Sequence, residues 1–291
     1  MFSESLSLRP PGVGGLVFMK VLRLMQAPFV QVWIASPADF AEAQWREFET
    51  LLDSLELARA QTFRLQQDRL AYVLAHALRR IALGEELNLM PAALAFSSEP
   101  GGRPTLIHPR GSGIGFSHAH TRQAVVFALW REGLLGVDIE AHCAMRGDLG
   151  LLSRFFTQPD GFESAASTCE PEAQSQAHFF FLWTALEAFW KARGTGLSTA
   201  NPRVSFEASR AGVFRAVLPA DASPALALWV MPVAAPVGIS ISLAVQHPQP
   251  CVVTRRVTSL SFKGHGMSGQ SHFFARPDRA RVAVVQRATP I

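Results

Sequence analysis

Apolar positions along this chain switch between a short and a long period, and the switches mark its elements. An apolar run at 29–34 reads as a strand, and after Pro37 the spacing lengthens to the helical one. Helices are predicted over 41–55 and 61–82. The second is the better patterned, because Phe63, Leu70, Val73, Leu74, Ala77, Leu78 and Ile81 recur every three or four residues. Residues 91–109, with Pro100-Gly101-Gly102-Arg103-Pro104, read as loop. Strand signals return at 123–130 and 134–140, with Arg131-Glu132-Gly133 as the turn between them. Helical patterns follow over 148–156 and 178–193, separated by a polar insert at 164–176. Strands over 204–207, 213–218, 225–231 and 238–245 complete the body. Each half therefore runs strand, helices, strands, with one long amphipathic helix apiece. That order suggests a pseudo-duplicated α+β pair, although no residue-level repeat accompanies it.

Composition narrows the class. The 291 residues are 48% apolar and include 21 Phe, enough for one large core or two smaller ones, and the 17% charged fraction argues against disorder. Cys143, Cys169 and Cys251 lie far apart with no CxxC pair, as expected of reduced thiols in a cytoplasmic protein rather than a disulfide or zinc framework. No apolar run approaches the roughly 20 residues of a membrane span, and no secretory signal is visible. The net charge of +4 is unevenly placed. From His247 onward there are seven cations and one acid, so the preceding body is net acidic. Phe262, Phe273 and Phe274 are the only aromatics there, which does not make the basic, aromatic-studded face of a nucleic-acid binder. The expected division is a flexible leader at 1–27, an N-terminal subdomain at 28–121, a C-terminal subdomain at 122–246 and a basic tail at 247–291. Met19-Lys20 would serve as a start, which makes 1–18 a candidate start-site artefact.

Three elements could carry chemistry. In Gly136-Val137-Asp138-Ile139-Glu140, Asp138 and Glu140 share one face of a strand and repel each other unless a positive charge sits between them. A hard divalent cation is one answer, and a solvated strand end is the other. In Trp183-Thr184-Ala185-Leu186-Glu187-Ala188-Phe189-Trp190-Lys191, Glu187 and Lys191 share a helix face, with Trp183 one turn earlier. The flanking aromatics predict a largely buried helix, so this pair is either a buried structural salt bridge or part of a site. Gly194 supplies a helix stop, and Gly196 permits close backbone approach. Phe116-Ser117-His118, downstream of Gly102-Arg103-Pro104, offers phosphate donors, although a lone histidine is as readily structural. No Gly-rich P-loop, GxSxG elbow or HExxH motif occurs.

In this order the elements resemble the 4′-phosphopantetheinyl transferases of the surfactin-synthetase-activating (Sfp-like) type. That family shows a GVDIE-like strand, an FF-containing helix and a W-x-x-K-E-A-x-x-K-x-x-G-x-G-L block. Here they are matched by Gly136–Glu140, Arg154-Phe155-Phe156, and Trp183, Glu187-Ala188, Lys191 and Gly194-x-Gly196-Leu197. Gly102-Arg103-Pro104 and Ser117-His118 match two further family elements, and Arg59, Phe63, Asp68-Arg69 and Leu78-Arg79 resemble its first-half helix. The match runs from about residue 28 to 246.

The resemblance implies two pseudo-symmetric α+β subdomains with the active site between them. It implies an Mg2+-dependent transfer of the phosphopantetheine arm from coenzyme A to a serine of an acyl or peptidyl carrier protein, by a monomer. Asp138, Glu140 and Glu187 would hold the metal, Lys191 would contact the pyrophosphate, and Arg103, Ser117, His118 and Arg59 would grip the 3′-phosphate. Glu187, Lys191 and Asp138 form the implied catalytic set, with Glu187 the candidate proton acceptor. Four positions depart from the pattern: Leu186 for Lys or Arg, Asp160 for Glu, Ala119 for Ser and Ala71 near an expected Arg. The competing readings are a homologue that binds coenzyme A or a carrier without turnover, and another Mg2+-dependent enzyme acting on phosphate esters.

Overall fold

The computed structural model describes residues 29–98, 104–142, 152, 154–156, 171–210, 212–219, 227–258 and 282–283. The expected leader, Arg103, Asp160, most of the predicted 148–156 helix and most of 259–291 lie outside the described residues.

Strand β1 (Phe29–Ala35) alternates its side chains between two cores, with Val30, Val32 and Ile34 on one face and Trp33 and Ala35 on the other. The expected 41–55 helix is two helices, α1 (Glu42–Leu51) and α2 (Ser54–Gln61). Asp53 breaks it: its carboxylate accepts from the backbone N–H of Leu55 and Glu56, while Glu56 accepts from the N–H of Asp53. Helix α3 (Gln66–Leu87) ends on Asn88 in the left-handed region, φ 56°. The predicted loop at 91–109 contains a short hairpin, β2 (Ala95–Ser98) and β3 (Pro104–His108).

Strands β4 (Gly115–His120), β5 (Val125–Trp130) and β6 (Leu135–Ala141) follow, then α4 (Pro171–Arg193). The helix takes in 171–176 of the expected polar insert. The second sheet is completed by β7 (Ser205–Arg210), β8 (Val213–Val217), β9 (Leu228–Pro232) and β10 (Ile239–Val245). The chain then returns to the first sheet through β11 (Cys251–Val257) and β12 (Val282–Ala283).

Two five-stranded sheets result, ordered β12-β11-β1-β5-β4 and β6-β10-β9-β8-β7. The halves echo each other, because in each the first strand pairs antiparallel with a late one, β1 with β5 and β6 with β10. Helix α3 covers the outer face of the first sheet and α4 that of the second. The inner faces pack on each other through Val32, Val126 and Ala128 from one sheet and Val137, Ile139 and Leu243 from the other.

Three expectations need correction. Strands β5 and β6 are not a hairpin: residues 131–134 carry the chain from one sheet to the other. Sheet membership places β5 with the first half, so the division at 121/122 is too early. The expected tail is not separate at its start, since β11 pairs in parallel with β1 along its whole length. Val253 and Val257 are buried there, and Arg255 pairs with Glu85 at 2.8 Å and lies 4.6 Å over the Trp33 ring. Two of the cations counted as tail are thus bound to the body, Arg256 reaching Asp39 at 3.8 Å.

Candidate active site

The edge strands β4 and β6 meet where the two sheets join, and the Ser117 hydroxyl accepts a 3.1 Å hydrogen bond from the Val137 N–H across that seam. Odd positions of β6 (Leu135, Val137, Ile139) enter the inter-sheet core, which turns Gly136, Asp138 and Glu140 toward α4. Gly136 lets the helix lie directly on the strand. A Cβ there would stand 2.5 Å from the Ala192 nitrogen, and closer still to the Ala188 carbonyl oxygen. Over 179–192 of α4 the side chains are buried except those of Phe181, Trp183, Glu187 and Lys191, and the last three, spaced by four, form one face. The helix stops at Gly194, φ 80°.

Glu187 and Lys191 of that face and the β6 carboxylates line one open cleft of about 380 Å³. Its walls are His118, Ala119 and His120 from β4, Asp138, Ile139 and Glu140 from β6, and Glu187 and Lys191 from α4. Asp138, only 5% exposed, accepts a 2.6 Å bond from the Lys191 ammonium on Oδ1, while its buried Oδ2 has no hydrogen-bond partner among the described residues. Burial pushes the Asp138 carboxyl above the usual range, against the pull of Lys191. Glu187 is raised by burial and by the charge of Asp138. Glu140 is raised to about 7, first by burial, then by repulsion from Asp138 and Glu187, with Lys191 and the Trp183 side chain opposing. Three carboxylates thus share one ammonium.

His118 is held well below the ordinary histidine value, first by burial, then by the charge of Arg79, with His76, His120 and Lys191 acting in the same direction. It is therefore a neutral ring, and its buried Nδ1 has no partner among the described residues.

The family description that matches residues 134–231, the stretch from β6 through α4 to β9, is the 4′-phosphopantetheinyl transferase superfamily. The chain is 31% identical over 170 residues to the 4′-phosphopantetheinyl transferase HetI of Nostoc sp., covering 58% of this chain and 70% of that one. The chain belongs to the 4′-phosphopantetheinyl transferase superfamily. A putative 4′-phosphopantetheinyl transferase of Synechocystis sp. is 32% identical over 171 residues, 59% of this chain and 67% of that one. The 4′-phosphopantetheinyl transferase psf-1 of Bacillus pumilus is 28% identical over 158 residues, 54% and 64% of the two chains.

Of the residues singled out in the sequence of this transferase-family chain, Asp138, Glu140, Glu187, Lys191 and His118 come together in the cleft. Ser117 stands beside it with its hydroxyl on Val137, its own proton still available to donate. Arg59 does not line the cleft. It is exposed at the end of α2, 3.4 Å from the Thr62 hydroxyl and 5.4 Å over the Phe63 ring. Leu186, where the family carries Lys or Arg, is fully buried in the core between α4 and the second sheet, so its side chain is not a cleft residue. Ala119 lines the cleft and Ala71 is buried on α3. His120 was not singled out, although alternation along β4 puts it on the His118 face. Among the described residues no three acidic, His or Cys side chains are gathered into a ready-made metal cage. No helix among them is long and apolar enough to cross a membrane.

Proposed function

We propose that this chain transfers the 4′-phosphopantetheine group of coenzyme A to a serine of an acyl or peptidyl carrier protein, with Mg2+, releasing 3′,5′-ADP. The observation that carries the reading is the convergence of Asp138 and Glu140 from β6 with Glu187 and Lys191 from α4 in one cleft walled by His118. Membership of the superfamily and the names of its relatives support the reaction class.

The donor set suits a hard cation. All the carboxylates are raised by burial, Glu140 and Glu187 by their neighbours' charge as well, and the buried Asp138 Oδ2 lacks a partner. Magnesium is commonly held by a few carboxylates plus waters and substrate phosphate rather than by a closed protein cage, which accords with a partial set of ligands. Asp138, Glu140 and Glu187 would hold it, and it would supply Lewis-acid stabilisation to the pyrophosphate oxygens.

In the reaction the carrier serine Oγ bonds to the phosphorus that bears pantetheine. The bond from that phosphorus to the bridging oxygen breaks, and the oxygen leaves with 3′,5′-ADP. Charge grows on the bridging oxygen, and Lys191 stabilises it by exchanging Asp138 for a phosphate oxygen. The serine proton passes to Glu187, whose basicity burial raises above that of an ordinary carboxylate. His118, with Ser117 and Arg103, takes the 3′-phosphate. We place the enzyme in the cytoplasm as a monomer, on its widely spaced cysteines and on a second half that supplies what a symmetric partner would.

Mass spectrometry of an apo-carrier incubated with coenzyme A and Mg2+ tests this. The carrier should gain about 340 Da, the covalently attached arm, only when the cation is present. An unchanged mass with intact coenzyme A binding would instead favour a non-catalytic binder. Inhibition by simple phosphate esters but not by 3′,5′-ADP would favour another phosphate-ester enzyme.

A further inference from the structure

Packed beside His118, and not among the residues that line the cleft, are side chains of α3 to which no role has been given. His118 and His120 share the α3 face of β4, and α3 meets them with Tyr72 and His76, one helical turn apart. The His76 ring lies 5.5 Å from His118, edge to face at 81°, and 4.0 Å from Tyr72, tilted by 30°. Tyr72 in turn packs on Phe63 at 5.2 Å and reaches His120 at 6.4 Å.

His76 is itself fixed. Its Nδ1 is 3.1 Å from Glu56 Oε1. Glu56 is a carboxylate at any ordinary pH: burial raises it, but the hydrogen bond from His76, the charge of Arg79 and the Asp53 N–H bring it to about 2. A carboxylate only accepts, so the Nδ1 of His76 carries the proton and donates it. Burial keeps the imidazole neutral, which leaves Nε2 bare. Glu56 also receives Arg79, and Arg80 through Nε at 2.9 Å and Nη2 at 2.7 Å, while Arg80 anchors further on Asp53 and on the carbonyl of Leu94. The chain of contacts therefore runs from a rigid Arg–carboxylate knot, through one imidazole of fixed tautomer, to the ring that walls the cleft.

We propose that His76, oriented by Glu56, is a positioning residue for His118, holding the imidazole in the attitude from which the cleft meets the donor's anionic group. This rests on the reading of His118 given under the proposed function. The edge of the His76 ring packs on His118, and without it the His118 ring loses one constraint on turning about its side-chain bonds. Misorientation should weaken capture of the terminal phosphate and leave the transfer step, which belongs to the opposite wall, nearly unchanged.

The test uses the full chain carrying His76→Phe, which keeps a ring and loses both nitrogens, and His76→Asn, whose amide can still donate to Glu56. Steady-state loading of a carrier with coenzyme A and with 3′-dephospho-coenzyme A is combined with calorimetric titration of 3′,5′-ADP. For His76→Phe we expect KM for coenzyme A and the Kd of 3′,5′-ADP to rise about tenfold, the loss of one well-placed hydrogen bond, with kcat little changed and the dephospho substrate unaffected. His76→Asn should recover part of that loss. Equal effects on both substrates, or unchanged 3′,5′-ADP affinity, would overturn the assignment. If the wild type already failed to distinguish the two substrates, the reading of His118 would fall first, and the two failures are thereby told apart.

Discussion

Replacing Gly136 with Ala is the sharpest challenge to the geometry of the cleft. The added Cβ would stand 2.5 Å from the Ala192 nitrogen and 3.1 Å from the Ala188 carbonyl carbon, with the Ala188 oxygen nearer still, where ordinary contact begins at 3.4 Å. All three are main-chain atoms of α4, so no rotamer change relieves the overlap. The helix must retreat by about 1 Å or the strand must bend, in an interior packed to crystal density. Such overpacking costs about 1–3 kcal/mol, and a backbone collision belongs at or above the upper end. The retreat also draws Glu187 and Lys191 away from Asp138, and a misplacement of about 1 Å can cost about 100-fold in rate. Urea denaturation and carrier loading of Gly136→Ala should therefore fall together, by about 3 kcal/mol and about 100-fold. A variant with wild-type midpoint and wild-type loading would refute the close approach of α4 to β6, and with it the argument for the site.

Other consequences are open to measurement. Glu140 sits at about 7 in the folded chain against 4.5 for the free side chain, so between those values the folded state binds more protons and metal-free stability should fall as pH rises. The shift would amount to about 3 kcal/mol in a dry site, but solvent reaches much of this half-buried carboxyl, and about 1 kcal/mol is the expected drop. Chemical denaturation across pH 5–8 should show a drop smaller by about that amount in Glu140→Gln than in the wild type, since Asp138 and Glu187 remain raised in both, and parallel curves would contradict it. Lys191→Gln leaves Asp138 buried without its cation, so carrier loading should drop by at least about 100-fold as a key electrostatic contact is removed. Near-normal loading would exclude Lys191 from the transfer step. Arg255→Ala, which loses the Glu85 pair and the Trp33 face, should destabilise the fold by about 2 kcal/mol without altering KM for coenzyme A. A change confined to KM would show that β11 belongs to the site instead.

The sequence was most readable where local period and chemistry agreed. The carboxylates of β6 and the 183/187/191 face of α4 could be paired off from spacing alone, because strand alternation and helical rise are properties of neighbouring residues. What spacing does not carry is sheet membership. The 123–130 and 134–140 runs have every local mark of a hairpin, yet Val126 and Ala128 face Val137 and Ile139 across an inter-sheet core rather than along one ladder. Strand β4 went unread because Ser117, His118 and His120 are polar at positions where a strand of this pattern is usually apolar. Strand β11 reads as tail because Arg255 and Arg256 count toward the basic charge of 247–291; only its burial shows Val253, Arg255 and Val257 turned inward. The Glu56–His76 support was invisible for a simpler reason, since it joins two helices 20 residues apart in the chain through side chains alone.

The parallel pairing of β11 with β1 ties the first sheet to a segment more than 200 residues downstream. Until residues 251–257 have emerged from the ribosome, the backbone edge of β1 and the Trp33 ring have no cover on that flank, and the half made first must wait for the half made second. Separate expression of the two halves as independent fragments should therefore yield an aggregation-prone N-terminal piece. A split-protein reporter built on this scaffold would need to carry β11 with the N-terminal fragment, although the chain order sets it with the other.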